Sequence, residues 1–131
     1  MIIDSFKIKG CHITVLYECS CNDIDFIIKT LTHIDCPEEY IEKALDNLER
    51  CDLNSGLTYT NIKLKSSVIV INKTSSFEQL INTISHEYYH LIQHLSIILN
   101  IEDEEELAYL NGDLNMRSYK IVRNLEKVGS E

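Results

Sequence analysis

The chain lacks the features by which proteins enter membranes or bind nucleic acids. Its longest apolar runs fall well short of the roughly 20 residues that cross a bilayer, so we expect no membrane segment. Its 12 Lys and Arg residues are scattered along the sequence and are outnumbered by 21 Asp and Glu residues. Because binding to a phosphate backbone needs a basic stripe, we expect no nucleic-acid partner.

Signals for secretion and for several domains are also missing. The sequence has no signal peptide, internal repeat, linker or low-complexity tract. Its five cysteines are odd in number, and their spacing suggests no disulfide framework. We therefore expect a single domain over residues 1–131, a cytoplasmic location and reduced thiols that act as small hydrophobic or surface residues.

Hydrophobic periodicity predicts an α+β fold. Strands are expected within 2–18, on either side of Lys9-Gly10, and at 57–64 and 66–72; helices are expected at 22–34, 37–51, 77–99 and 104–127. Strand 66–72 is almost continuously apolar, which indicates burial on both faces. Ser75 and Glu78 have the spacing of a capping box for the third helix. These elements predict a small antiparallel or mixed sheet of about four strands.

The segment ISHEYYHLIQH, residues 84–94, contains the pattern HExxH. His86 and His90 stand one helical turn apart, so both imidazoles can reach one metal ion. Glu87 is rotated by about 100° from His86 and can act on a water beside the metal as a general base. The pattern predicts a Zn²⁺ site with His86 and His90 as ligands and Glu87 as the catalytic base.

The third zinc ligand is not fixed by the spacing. His94 continues the four-residue series, but it lies eight residues and about 12 Å along the helix from His86, so these two histidines cannot share one ion. Glu105 or Glu106 at the start of the next helix, or Asp113 further along it, can supply a carboxylate. Catalytic zinc sites usually have three protein ligands and one open position.

ISHEYYHLIQH followed by DEEELAYLNGDL resembles the gluzincin-type small metallopeptidases. It is similar to the ImmA/IrrE-like peptidases and to compact phage-associated and bacterial HExxH proteins, over roughly residues 66–120. The resemblance implies a zincin-like fold, in which the sheet packs on an HExxH helix and a C-terminal helix. It also implies that Glu105, three residues before Ala108, is the third ligand, with Glu106 as the second choice.

The expected function is a zinc-dependent hydrolase, most simply a metallopeptidase acting on a peptide or protein substrate. Tyr109, one turn after Glu105, is a candidate to stabilise the oxyanion. Tyr88 and Tyr89 are interpreted as packing residues. The alternative is a non-proteolytic metal-binding regulatory or interaction module, such as a phage or mobile-element protein that acts on a host factor.

Overall fold

A computed structural model describes the backbone of residues 1–129 and the side chains of residues 1–125. It contains four strands and four α-helices: β1 (Ile2–Ile8), β2 (Cys11–Cys19), α1 (Ile24–His33), α2 (Glu38–Glu49), β3 (Gly56–Asn61), β4 (Ser66–Asn72), α3 (Phe77–Ile98) and α4 (Glu104–Gly129). A short 3₁₀ turn, Cys21–Asp23, precedes α1. The predicted α+β class and the eight predicted elements are confirmed.

The four strands form one mixed sheet in the order β1-β2-β4-β3. β1 pairs with β2 and β3 pairs with β4 in antiparallel fashion, while the central pair, β2 and β4, is parallel. A parallel pair needs a crossover connection, which here runs through α1, α2 and β3. β1 and β3 are therefore the edge strands, and β4 is internal.

Both faces of the sheet are packed because side chains of a strand alternate between its two faces. Val68 and Val70 of β4 belong to a core shared with α1 and α2. Ile69 and Ile71 belong to a second core shared with α3 and α4. All four side chains are at most 1% exposed, which confirms the predicted burial of this strand on both faces.

The cap of α3 differs from the prediction by one residue. Ser76, not Ser75, is the N-cap: its backbone is extended and its hydroxyl accepts a hydrogen bond of 3.1 Å from the backbone N–H of Gln79. The Ser75 side chain instead lies against the Asn54 side chain, with Oγ 3.2 Å from Nδ2. The cap was misplaced because three consecutive polar residues, 74–76, precede the helix and each has the chemistry of a cap.

The expectation that all thiols are reduced is wrong for one pair. Cys21 and Cys51 form a disulfide, with their Cα atoms 5.0 Å apart. Cys21 lies just before α1 and Cys51 just after α2, so it is the packing of these helices that brings the two thiols together. Cys11, Cys19 and Cys36 are free and buried, as expected of small hydrophobic residues. Of the helices described by the structure, none is both long and apolar enough to span a bilayer.

Candidate functional site

The predicted HExxH segment lies mid-way along α3, where that helix faces edge strand β3. Between them is a cleft of about 320 Å³. Its lining residues come from α2, β3 and α3: Tyr40, Gly56, Leu57, Thr58, His86, Glu87, His90 and His94. The fold thus places both predicted histidine ligands and the predicted base on the wall of one cavity.

His86 and His90 lie side by side at the mouth of this cleft. Their ring centroids are 5.0 Å apart, and the rings meet edge to face at 79°. Both residues are exposed, and the His86 side chain retains 67% of its accessible surface. Two imidazoles one helical turn apart, open to solvent, are the donor pair that the HExxH pattern predicts.

Glu87 is buried, whereas the two histidines are exposed. The residue keeps only 5% of its accessible surface. Its Oε1 accepts a hydrogen bond of 2.9 Å from the Thr58 hydroxyl, which also lies 3.2 Å from the Glu87 main-chain oxygen. Its Oε2 lies 4.0 Å from Nε2 of His86. One carboxylate oxygen is therefore fixed by β3, while the other faces the imidazole beside it.

Gly56 provides the space that the Glu87 side chain occupies. A Cβ atom at position 56 would lie 2.7 Å from the main-chain oxygen of Val70. It would also lie 3.1 Å from Cγ and 3.2 Å from Oε2 of Glu87. Any larger side chain at the start of β3 would push against both the neighbouring strand and the carboxylate.

His94 lines the same cleft but is engaged elsewhere. Its Nδ1 lies 2.7 Å from the Thr60 hydroxyl, which in turn lies 2.7 Å from the hydroxyl of Ser67. Burial, and secondarily the nearby His90, lower the pKa of His94 below its ordinary value. The ring is thus held against β3 through Nδ1, and its Nε2 has no hydrogen-bond partner within the described residues.

Tyr40 of α2 closes the opposite side of the cleft. Its hydroxyl donates a hydrogen bond of 2.9 Å to the main-chain oxygen of Thr58, and its ring packs 5.2 Å from that of Tyr59. Burial is the main cause that raises the pKa of Tyr40, and Glu87 contributes. Tyr40, Gly56 and Thr58 were missed from the sequence because no motif marks them and 29 residues separate Thr58 from Glu87.

The candidate third ligands lie away from the two histidines. α3 continues for eight residues beyond His90, about 12 Å along its axis, before the chain turns into α4. Glu105 lies in the first turn of α4, and the neighbouring Glu106 accepts a hydrogen bond of 2.6 Å from Lys9 in the β1–β2 turn. Asp113 is exposed further along α4. Within the described part of the chain, no three His, Cys, Asp or Glu side chains are grouped so as to hold one metal ion.

The predicted tyrosines fall in three different environments. Tyr88 is fully buried, with its hydroxyl 2.9 Å from that of Tyr17, which confirms its packing role. Tyr89 is 63% exposed, so the packing interpretation is wrong for this residue, which lies on the solvent side of α3. Tyr109 is 69% exposed on α4 and does not line the cleft.

No protein-family model, curated protein or solved structure matches the chain. The function is therefore inferred from the cleft between α3 and β3.

The cleft fits a metal ion in part. Imidazole nitrogens are common zinc ligands, and the paired rings of His86 and His90 offer two of them on one helical face. A third protein donor is not assembled beside them in the described structure. The arrangement can present two imidazole nitrogens and one buried, oriented carboxylate to a molecule that enters the cleft.

Proposed function

We propose that this protein is a zinc-dependent hydrolase that cleaves peptide bonds at the cleft between α3 and β3. The observation that carries the proposal is the position of Glu87, buried beside the exposed pair His86 and His90 and hydrogen-bonded by Thr58. Burying a carboxylate is costly unless it is partnered, and a hydrolase gains a fixed proton acceptor from it. A zincin-like fold, which the resemblance implies, belongs to the same proposal.

His86 and His90 would hold the zinc ion, which when bound supplies Lewis-acid polarisation of a carbonyl group and of water. Glu87 takes a proton from the attacking water as the new C–O bond forms. It then delivers that proton to the amine nitrogen as the C–N bond breaks, so the carboxylate returns to its starting state. The hydrogen bond from Thr58 holds Oε1, which leaves Oε2 as the oxygen that exchanges the proton.

The substrate would bind as an extended peptide along β3. β4 is internal to the sheet, whereas β3 is an edge strand and borders the cleft. An edge strand can pair with an added strand through its free backbone groups, which on β3 exclude the Thr58 main-chain oxygen because Tyr40 already donates to it. This geometry would place the substrate's backbone in front of Glu87 without requiring a deep specificity pocket.

The third ligand remains Glu105 in this proposal, as the resemblance implies. Because Glu105 lies at the far end of α3, the first turn of α4 has to approach the histidines when the metal binds. The contact between Lys9 and Glu106 holds that turn to the β1–β2 hairpin, and both side chains are about half exposed. Exposed ion pairs contribute little free energy, so the larger barrier to such a movement is Leu107, which follows in the same turn and packs against the core of α3 and α4.

A second candidate is a non-proteolytic metal-binding or interaction module. It is favoured by one observation: within the described residues, only two donors of the expected set stand together. A site of this kind binds a metal weakly or with a ligand from a partner protein. In that case the cleft serves to bind the metal or a partner, and no reaction is catalysed there.

Zinc affinity tests the site directly. Purified apoprotein is titrated with zinc in competition with a chromophoric chelator. His86→Ala and His90→Ala should each weaken binding by more than about a hundredfold, since even the residues behind metal ligands contribute 10–100-fold. His12→Ala is the matched control, because His12 is exposed on β2 outside the cleft. Wild-type protein without zinc affinity above that of the two histidine variants would overturn the metal site.

Two further variants separate the candidates. Glu87→Gln should keep the zinc affinity and abolish cleavage of an unstructured protein substrate, because only the proton acceptor is removed. Glu105→Gln should weaken zinc binding at least about tenfold if this residue is the third ligand. An unchanged affinity in Glu105→Gln, together with no cleavage by wild-type protein, would favour the non-proteolytic module.

A further inference from the structure

A second depression lies on the opposite face of the sheet from α3. It consists of two adjoining cavities of about 590 and 570 Å³ that share Thr14, His33 and Ile34. One cavity lies over β1, β2 and the start of β4, and the other extends beneath α1. We refer to the two together as the basic groove. Among the described residues, the basic groove shares only Ser67 with the hydrogen-bond network of the HExxH cleft. In that network the Ser67 hydroxyl contacts Thr60, and Thr60 contacts His94.

All ionisable side chains that line the basic groove are basic. They are Lys7, His12, Lys29 and His33, and no Asp or Glu is among the lining residues. Acidic residues outnumber Lys and Arg by 21 to 12 in the chain as a whole. The lining of the basic groove, which has two lysines and no carboxylate, therefore has a charge opposite in sign to that of the whole chain.

The sheet register extends this basic region beyond the groove. Lys7 and His12 are cross-strand partners in the β1–β2 pair. The backbone N–H of His12 donates a hydrogen bond of 2.9 Å to the main-chain oxygen of Lys65, which follows Lys63 in the β3–β4 turn. Lysines that are scattered along the sequence are thus gathered by the fold at one end of the sheet.

The floor of the basic groove is apolar. Ile34 and Val68 form its base and belong to the core beneath α1. Phe26 and Leu64 stand at its sides and remain 39% and 46% exposed. Burying such side chains releases about 25 cal/mol for each Å² of apolar surface removed from water, so an occupant with apolar groups is favoured.

We propose that the basic groove binds an acidic polypeptide segment that also carries apolar side chains. The carboxylates of this segment pair with Lys7 and Lys29, and its apolar side chains cover Phe26 and Leu64. Each cavity alone has the size of a small-ligand pocket, and their fusion gives the length that an extended segment needs. A nucleic acid fits less well, because a phosphate backbone needs a longer basic stripe than these two lysines provide. The proposal does not depend on a metal at the HExxH cleft.

Fluorescence anisotropy with a labelled peptide of alternating glutamate and leucine tests the proposal on the full chain. Wild-type protein should bind this peptide, and binding should weaken as salt is raised. The charge-reversed pair Lys7→Glu with Lys29→Glu should weaken binding at least about tenfold. The matched control is Lys43→Glu with Lys120→Glu, which changes the net charge equally at exposed lysines outside the groove and should alter affinity less than about twofold.

Three results would overturn the proposal. The first is equal weakening in the two charge-reversed pairs, which would show a general charge effect. The second is equal or tighter binding of a peptide with lysine in place of glutamate. The third is binding of a single-stranded oligonucleotide but not of the acidic peptide. Circular dichroism and thermal unfolding of each variant establish that the fold is retained, and amide shifts at Thr14 and His33 in NMR spectra locate the bound peptide.

Discussion

Glu87 shows how single residues make the candidate site possible. A carboxylate that keeps 5% of its accessible surface would be unfavourable without a partner, and Thr58 provides a hydrogen bond at 2.9 Å. Gly56 then leaves the volume that the side chain fills. The site therefore depends on two residues of β3 that have no chemistry of their own in the proposed reaction.

Gly56→Ala should destabilise the protein by about 1–3 kcal/mol, because its Cβ would lie 2.7 Å from the Val70 main-chain oxygen. Urea denaturation measures this loss. Gly112→Ala is the control: its Cβ meets nothing within 4 Å, and alanine on α4 should raise the free energy of unfolding by up to about 1 kcal/mol. A Gly56→Ala protein as stable as the Gly112→Ala protein would contradict the close packing described for β3.

His94 should make stability fall in acid. Its pKa is lowered in the folded state, chiefly by burial, so below the ordinary value of 6.5 the unfolded chain binds a proton that the folded chain excludes. Stability from this residue is therefore complete above pH 6.5 and declines as the pH falls. His94→Gln should flatten the loss between about pH 7 and 5, by at most about 1.4 kcal/mol per pH unit.

Urea titrations at several pH values compare His94→Gln with His33→Gln, whose histidine is exposed on α1. The His33 variant controls for the replacement of a histidine that is not buried. If both variants showed the same slope as wild type, the coupling of His94 to folding would be absent.

At the scale of elements, the sequence predicted all four strands and all four α-helices that the structure describes. Strand β4 was predicted at its exact bounds, 66–72, because its apolar run ends sharply at polar residues on both sides. The ends of α3 were predicted to within one residue because its apolar positions recur at helical spacing up to Ile98. Local periodicity was thus sufficient for the elements themselves.

Contacts between elements were less predictable. Thr58 and Glu87, and likewise Cys21 and Cys51, are close only because the sheet and the helices pack as they do. Glu105 was assigned from a resemblance between local motifs, which carries no information on how far α3 extends past His90. The helix continues to Ile98, and this length separates Glu105 from the histidines.

Removing the disulfide should loosen α1 and α2. Cys21 and Cys51 are 30 residues apart in sequence, so the cross-link should restrict the unfolded chain by about 3–4 kcal/mol. Cys21→Ser with Cys51→Ser should lose this amount in urea denaturation and should no longer respond to a thiol reductant. A wild-type protein whose unfolding curve is the same with and without the reductant would contradict a formed disulfide.

At the scale of the whole molecule, the sheet separates two cores and two candidate surfaces. The HExxH cleft opens beside β3 on the α3 side, while the basic groove lies on the α1 side. The order of strands that creates this division was not predictable, because the hydrophobic pattern does not state which strand pairs with which. The parallel pairing of β2 with β4 is what places β3 at an edge next to α3.

Both cores should make the protein sensitive to alkali. Burial is the largest cause that raises the pKa of thiols and phenols on both sides of the sheet: Cys11, Tyr17, Cys19, Cys36, Tyr40, Tyr59 and Tyr88. The pKa of Cys36 rises to about 11 and that of Cys19 to about 12, from an ordinary value of 9.0. Above that ordinary value the unfolded chain loses protons that the folded chain keeps. The stability that these groups contribute is therefore intact below pH 9 and falls as the pH rises toward 12.

Urea denaturation between about pH 8 and 11 should show this decline, with a slope that grows as more groups titrate in the unfolded chain. Cys19→Ala should lower stability at every pH because it leaves a small cavity, yet its decline above pH 9 should be shallower than that of wild type. The two effects are separable, since the cavity shifts the whole curve and the lost thiol changes only its slope. An identical slope in Cys19→Ala and wild type would mean that Cys19 ionises as readily in the folded protein as in the unfolded chain, contrary to its position in the core beneath α1.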